Sequence, residues 1–148
     1  MSFKIITYNV NSIRSRLEAL DELLEKEKPT VIALQETKVM DDKFPLEWFE
    51  ERNYHVAFKG EKSYNGVAIA STLPLEDVRF GSGGWELPGE ARLISATIDG
   101  VRVVNSYVPQ GREVDTEPWF YKLGWLKQMK NYRNFFGNPD QPWIWLGD

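Results

Sequence analysis

Val31-Ile32-Ala33-Leu34 is a run of four apolar residues that passes without a break into Gln35-Glu36. A run this short and this apolar, starting just after Pro29 and Thr30, reads as a strand buried on both faces, the way strands sit inside α/β sheets. Open α/β sheets place their ligands outside the carboxyl ends of the strands, so the run delivers the Glu36 carboxylate to a rim where chemistry is done. The pattern returns at Trp143-Ile144-Trp145-Leu146, which runs into Gly147-Asp148. That repeat predicts a second buried strand carrying a second carboxylate.

The rest of the chain supplies partners for these two strands. Residues 3–11 are rich in β-branched and aromatic side chains and read, in their first part, as a central strand that ends in amides. Ser12 is expected to cap a helix in which Ile13, Leu17, Leu20 and Leu24 share one face, and Pro29 ends that helix. Strand, helix and strand make a βαβ-like unit whose strands should end on the same rim, bringing Asn9 near Glu36; whether the two strands are neighbours is left open. A short helix is expected at 45–53, strands at 54–58, 67–71 and 76–80, a polar loop at 59–66 and a flexible loop at 81–84. Asp99-Gly100 lies between strand-like runs at 91–98 and 101–107, the signature of a two-residue type I′ hairpin, so antiparallel pairing is present. After Thr116 and Pro118, the spacing of Trp125, Met129, Tyr132 and Phe136 predicts a long helix with that stripe in the core.

Composition narrows the chemistry. The 148 residues make a single domain by size, and with no cysteine there is no disulfide, thiol catalysis or cysteine-bound zinc. The formal charge of −4 neither demands nor forbids a polyanionic partner, because a local basic patch can sit on an acidic protein. The single histidine, His55, has no companion acid or nucleophile nearby and reads as structural or surface-exposed. The first residues show no secretory signal and no run reaches membrane-spanning length, so a cytoplasmic protein without a membrane partner is expected.

Asn9, Glu36, Tyr107 and Asp148 are the polar residues at presumed strand ends. Two carboxylates and an amide offer hard oxygen ligands suited to Mg2+ (or Mn2+), which binds through one or two carboxylates plus substrate phosphate. Five motifs surround them: Tyr8-Asn9-Val10-Asn11-Ser12-Ile13-Arg14, Leu34-Gln35-Glu36-Thr37-Lys38, Tyr64-Asn65-Gly66-Val67-Ala68-Ile69, Asn105-Ser106-Tyr107-Val108-Pro109-Gln110-Gly111 and Trp145-Leu146-Gly147-Asp148. In order and spacing the chain resembles, over its whole length, the exonuclease III family of apurinic/apyrimidinic endonucleases, within the endonuclease/exonuclease/phosphatase superfamily.

The resemblance implies a DNA-repair nuclease that hydrolyses phosphodiesters at abasic sites and 3′ ends of double-stranded DNA with a divalent metal. It implies Glu36 as metal ligand and Asn9 as the amide that orients metal and water. Tyr107 would contact the scissile phosphate, and Asp148 would either activate water or assist the leaving group. Lys38, Arg14, Arg16, Lys62 and Asn65 are the expected phosphate contacts. Arg92 matches a family position and is equally well read as a strand arginine paired with a neighbouring acid. The family's Gly-Asp-x-Asn motif stops here at Asp148, and its later aspartate and histidine elements are not matched. The expectation is therefore that residues 1–148 form the amino-terminal half of the domain, half of a four-layer α/β sandwich: a mixed sheet with helices on its outer face. Such a half would be inactive alone and completed by self-association as a homodimer. The competing readings are a non-catalytic fragment that folds by dimerisation, and a phosphatase or RNA nuclease of the same superfamily.

Overall fold

The computed structural model describes residues 3–81, 90–136 and 138–148. The glycines expected in a loop at 83–84, and the side chain of Phe136, lie outside the described residues. In chain order the elements are β1 (Ile5–Asn9), a 3-10 turn (Ile13–Ser15), α1 (Leu17–Glu27), β2 (Val31–Gln35) and a second 3-10 turn (Asp41–Lys43). There follow α2 (Leu46–Glu50), β3 (His55–Lys59), β4 (Val67–Ser71), β5 (Glu76–Phe80), β6 (Leu93–Ile98), β7 (Val101–Ser106), α3 (Glu117–Phe136) and β8 (Trp143–Gly147).

The strands form two four-stranded sheets, ordered β1-β2-β4-β3 and β5-β6-β7-β8. Each is mixed: β1 and β2 are parallel neighbours, as are β7 and β8, and the other pairs are antiparallel. Val31, Val67 and Ile69 of the first sheet meet Ile94, Ala96, Ile98 and Val103 of the second in one apolar core. On the outer face of the first sheet, Ile13, Leu20, Leu24 and Phe49 pack over Ile32, Leu34, Ala68 and Ala70. On the outer face of the second, Trp125, Met129 and Tyr132 of α3 cover Leu93 and Val104. The layers are therefore helices, sheet, sheet, helix. The α/β class is as expected, and all five residues of β2 are buried.

Four expectations are corrected. The one mixed sheet of the expected half sandwich is replaced by two sheets that cover each other, because residues 91–106 form an antiparallel hairpin buried on both faces rather than an extension of the first sheet. β1 lies at the end of its sheet, not in the middle. β8 is only half buried, with Trp145 53% exposed, because it too is an edge strand. Ser12 caps nothing: it sits at φ 85° with no side-chain cap bond, and its hydroxyl meets Ser15 Oγ at 3.2 Å instead. The Asp99-Gly100 turn has both residues at positive φ, 49° and 80°, as a type I′ hairpin requires.

Between the sheets lies a fully buried amide, Asn105. Asn105 of β7 donates to the carbonyls of Leu34 in β2 and Ala68 in β4, each at 2.9 Å, and accepts from Gln35 Nε2 at 2.7 Å. Gln35 also donates to Thr7 Oγ1 at 3.0 Å, which carries the network to β1. Asn105→Ala strips partners from buried polar atoms and is expected to lower stability by about 3 kcal/mol, since each buried group left unpaired costs about 1–3 kcal/mol. Urea unfolding followed by tryptophan fluorescence measures it.

Candidate active site

Four strand ends converge on one rim. β1 and β2, parallel and in register, end at Asn9 and Gln35, and Glu36 follows directly. β7 and β8, also parallel, lead into Tyr107 and Asp148. The sheet contact continues beyond the strands through Ser12 N–H to Glu36 O at 2.8 Å and Asp148 N–H to Ser106 O at 3.1 Å.

Asn9 is the hub of the side chains. Its Oδ1 accepts the Asn11 backbone N–H at 3.0 Å, which turns Nδ2 toward both carboxylates: 2.5 Å to Glu36 Oε2 and 2.6 Å to Asp148 Oδ2. As held here, Asn9 positions two carboxylates rather than presenting a free oxygen. The Tyr107 hydroxyl faces the Glu36 carboxylate from the other sheet. Lys38 Nζ lies 3.5 Å from Glu36 Oε1 and donates to Asn11 Oδ1 at 2.6 Å. Burial and then the negative charge of Glu36 beside it push the Tyr107 hydroxyl up from its ordinary value, with a small further push from Asp148 and an opposing pull from Arg92.

The loops that present these groups are wound left-handed. Asn11, Ser12, Glu36, Lys38 and Asn65 have φ of 43°, 85°, 55°, 54° and 48°. A non-glycine residue in that region costs about 1–3 kcal/mol and persists only where its surroundings hold it. Here the holding is visible: Thr37 N–H donates to Gly66 O at 3.3 Å and Lys38 N–H to Asn65 O at 2.9 Å. Gly66, at φ 96°, is required by contact as well as by conformation, since a Cβ there would lie 2.0 Å from Thr37 Oγ1.

The other expected site residues divide. Arg14, Lys38 and Lys62 line one pocket of about 200 Å³ together with Lys43, which sequence reading overlooked. Asn65 contributes its backbone to the rim, and Arg16 stands apart at the start of α1. Arg92 is gripped by Glu90, with Nε 2.8 Å from Oε2, and its guanidinium lies 5.1 Å from the centre of the Tyr107 ring. Tyr121 of α3 donates to the same Glu90 oxygen at 2.7 Å. Glu90, Tyr121, Gln35 and Asn105 were all missed. The one signal for the last two was the presence of amides inside otherwise apolar strands.

Among the described residues no group of three or more histidine, cysteine, aspartate or glutamate side chains is placed to hold a metal. The donor set of Glu36 and Asp148, drawn together by one amide, fits an ion such as Mg2+, which keeps waters and takes further ligands from substrate.

The Endonuclease/Exonuclease/phosphatase family profile matches residues 6–148. Exodeoxyribonuclease III of Haemophilus influenzae is 32% identical over 150 residues, spanning 98% of this chain and 56% of its own length. An AP endonuclease structure from Archaeoglobus fulgidus superposes with a TM-score of 0.93 at 46% identity, covering 99% of this chain and 57% of that one. A Neisseria 3′ phosphatase bound to product DNA hairpin gives a TM-score of 0.93 at 35% identity, with the same coverage. The chain thus spans about half the length of the relatives it matches.

Two measurements test this geometry. Gly66→Ala is expected to destabilise the fold by about 2 kcal/mol or more, through strain at positive φ together with the Thr37 contact; a thermal melt reads it. In metal-free protein, ultraviolet titration should show Tyr54 and Tyr107 ionising above the ordinary value of about 10, with the Tyr107 share lost in Tyr107→Phe and shifted down in Glu36→Gln. Because the folded-state value is raised, the associated stability is present below about pH 10 and is lost as pH rises through the Tyr107 ionisation.

Proposed function

Because the chain belongs to the endonuclease/exonuclease/phosphatase family, we propose that it carries the metal- and phosphate-binding part of a nuclease site that hydrolyses phosphodiesters of double-stranded DNA at abasic sites and 3′ ends. The observation that carries this reading is the convergence of four strand ends on one rim, where Asn9 hydrogen-bonds both Glu36 and Asp148 and Tyr107 faces Glu36. Hydrolysis needs a water oxygen to bond to phosphorus while the P–O3′ bond breaks and the 3′ oxygen departs with a proton. Three requirements follow: charge neutralised on the non-bridging oxygens, an aligned water, and a protonated leaving group.

Glu36 and Asp148 are the residues that would hold Mg2+ (or Mn2+), with Asn9 fixing their spacing. The ion, when bound, supplies positive charge to the phosphate oxygens. Tyr107 would donate a hydrogen bond from its hydroxyl to a phosphate oxygen while its ring is backed by Arg92. Asp148 is exposed at the end of β8, where its carboxylate can accept a proton from water or sit beside the departing oxygen. Arg14, Lys38 and Lys62 bind neighbouring phosphates, with Asn65, Arg16 and Arg92 as further candidates; such contacts place DNA without reading its sequence. A cytoplasmic repair role belongs to the same proposal. Among the described residues, no helix is long and apolar enough to cross a membrane.

Likeness to the Neisseria 3′ phosphatase bound to product DNA favours a second reading, in which the bond broken is that of a 3′ phosphate. A panel of abasic duplex, 3′-phosphorylated duplex and RNA, with and without Mg2+, separates the two. In a protein that carries the whole family domain, Glu36→Ala is expected to lower Mg2+-dependent turnover of the preferred substrate by at least about a hundredfold, the scale set by removal of a group that stabilises developing charge. Equal turnover with and without Glu36 would sink the proposal. Mg2+ titration should show binding to the chain that Glu36→Ala abolishes.

A further inference from the structure

We infer that Gln35 and Asn105 form a positioning pair, a polar strut between the two sheets that sets where Tyr107 stands relative to Glu36. The inference rests on the metal-site reading above and names what holds that site in register. Gln35 immediately precedes Glu36 in the chain, and Asn105 lies two residues before Tyr107. The two site residues therefore belong to different sheets, and each is anchored by an amide within two residues of it. Both amides are shut off from water, Asn105 at 0% exposure and Gln35 at 1%.

The physical need for such a strut comes from the core itself. Val31, Val67 and Ile69 face Ile94, Ala96, Ile98 and Val103, and apolar contact of this kind resists separation without favouring one lateral offset. Hydrogen bonds are directional and, in a dry interior, costly to break. Asn105 reaches across with three of them: to Leu34 O in β2, to Ala68 O in β4 and from Gln35 Nε2. A slide of one sheet over the other would break all three. The same slide would carry Tyr107 away from Glu36, and a misplacement of about 1 Å at a reacting centre can cost about a hundredfold in rate. Gln35 extends the tie through Thr7 Oγ1 to β1, the strand that ends in Asn9. One buried network thus addresses three of the four rim residues from beneath.

The test separates positioning from stability. Asn105→Ala removes the strut, and a Gln35→Leu, Asn105→Leu double variant replaces both partners with apolar side chains, a change that can be nearly neutral for stability. Ser95→Ala is the control: Ser95 is equally buried and bonds Tyr132 and Arg102 within the second layer pair, away from the rim. In metal-free protein, the nuclear Overhauser contact between the Tyr107 ring and the Glu36 side chain is read by NMR, alongside Mg2+ affinity by calorimetry. The expected result is loss of that contact in both strut variants and Mg2+ binding weakened by at least about tenfold, as for groups that orient a metal ligand from behind. Ser95→Ala should leave both unchanged. If Asn105→Ala does not fold, the double variant decides.

A folded double variant that keeps the wild-type contact and the wild-type Mg2+ affinity overturns the inference, as does an equal loss in Ser95→Ala. Absence of Mg2+ binding in the unaltered protein overturns the metal-site reading instead, and the NMR contact still decides the strut.

Discussion

Two sheets that pack through a core of buried Val, Ile and Ala are held together but not held still, and the buried Asn105 is what gives their contact a direction. Its side chain spends its hydrogen bonds on the opposite sheet, and it does so directly below the rim. A buried amide with its bonds complete is a device for specifying one arrangement, because every alternative offset leaves polar atoms unpaired in a dry core. The rim depends on that choice. Glu36 and Asn9 come from one sheet, Tyr107 and Asp148 from the other, so their cluster exists only while the sheets keep this register.

Above the strut, the rim holds its groups by strain balanced against hydrogen bonds. Five non-glycine residues there take left-handed backbone, and the bonds from Ser12, Thr37 and Lys38 to neighbouring carbonyls keep them in it. The same curl points the Glu36 carboxylate out of its strand to where Asn9, Lys38 and Tyr107 reach it. A second line of support runs inward from α3, where Tyr121 holds Glu90, Glu90 holds Arg92, and Arg92 backs the ring of Tyr107. Arg92, just before β6, is thus paired with a neighbouring acid and placed so that it also supports the Tyr107 ring.

Much of this was legible in residue order. The apolar run at 31–34 made β2 a buried strand, Asp99-Gly100 made a hairpin, and the stripe of Trp125, Met129 and Tyr132 made a core-facing helix, because each is a local pattern whose period or turn geometry has one natural outcome. Ser12 misled for an equally local reason: a serine before an apolar helix is a good cap only if its backbone is extended, and the rim required it left-handed. The half-exposed β8 misled because its apolar sequence suits a central strand, whereas its position in the sheet is decided by which strands reach it.

By itself, the sequence determined the α/β class, the identities of the rim residues and the oxygen-rich chemistry they can support, since these follow from side-chain type and from spacing along the chain. Tertiary structure alone decided that the strands divide into two sheets, that Asn9 and Asp148, 139 residues apart, share one amide hydrogen-bonding centre, and that Asn105 ties the layers beneath them. The reason is geometric. A strand apolar on both faces states that something covers it on each side, and only the folded chain shows what does.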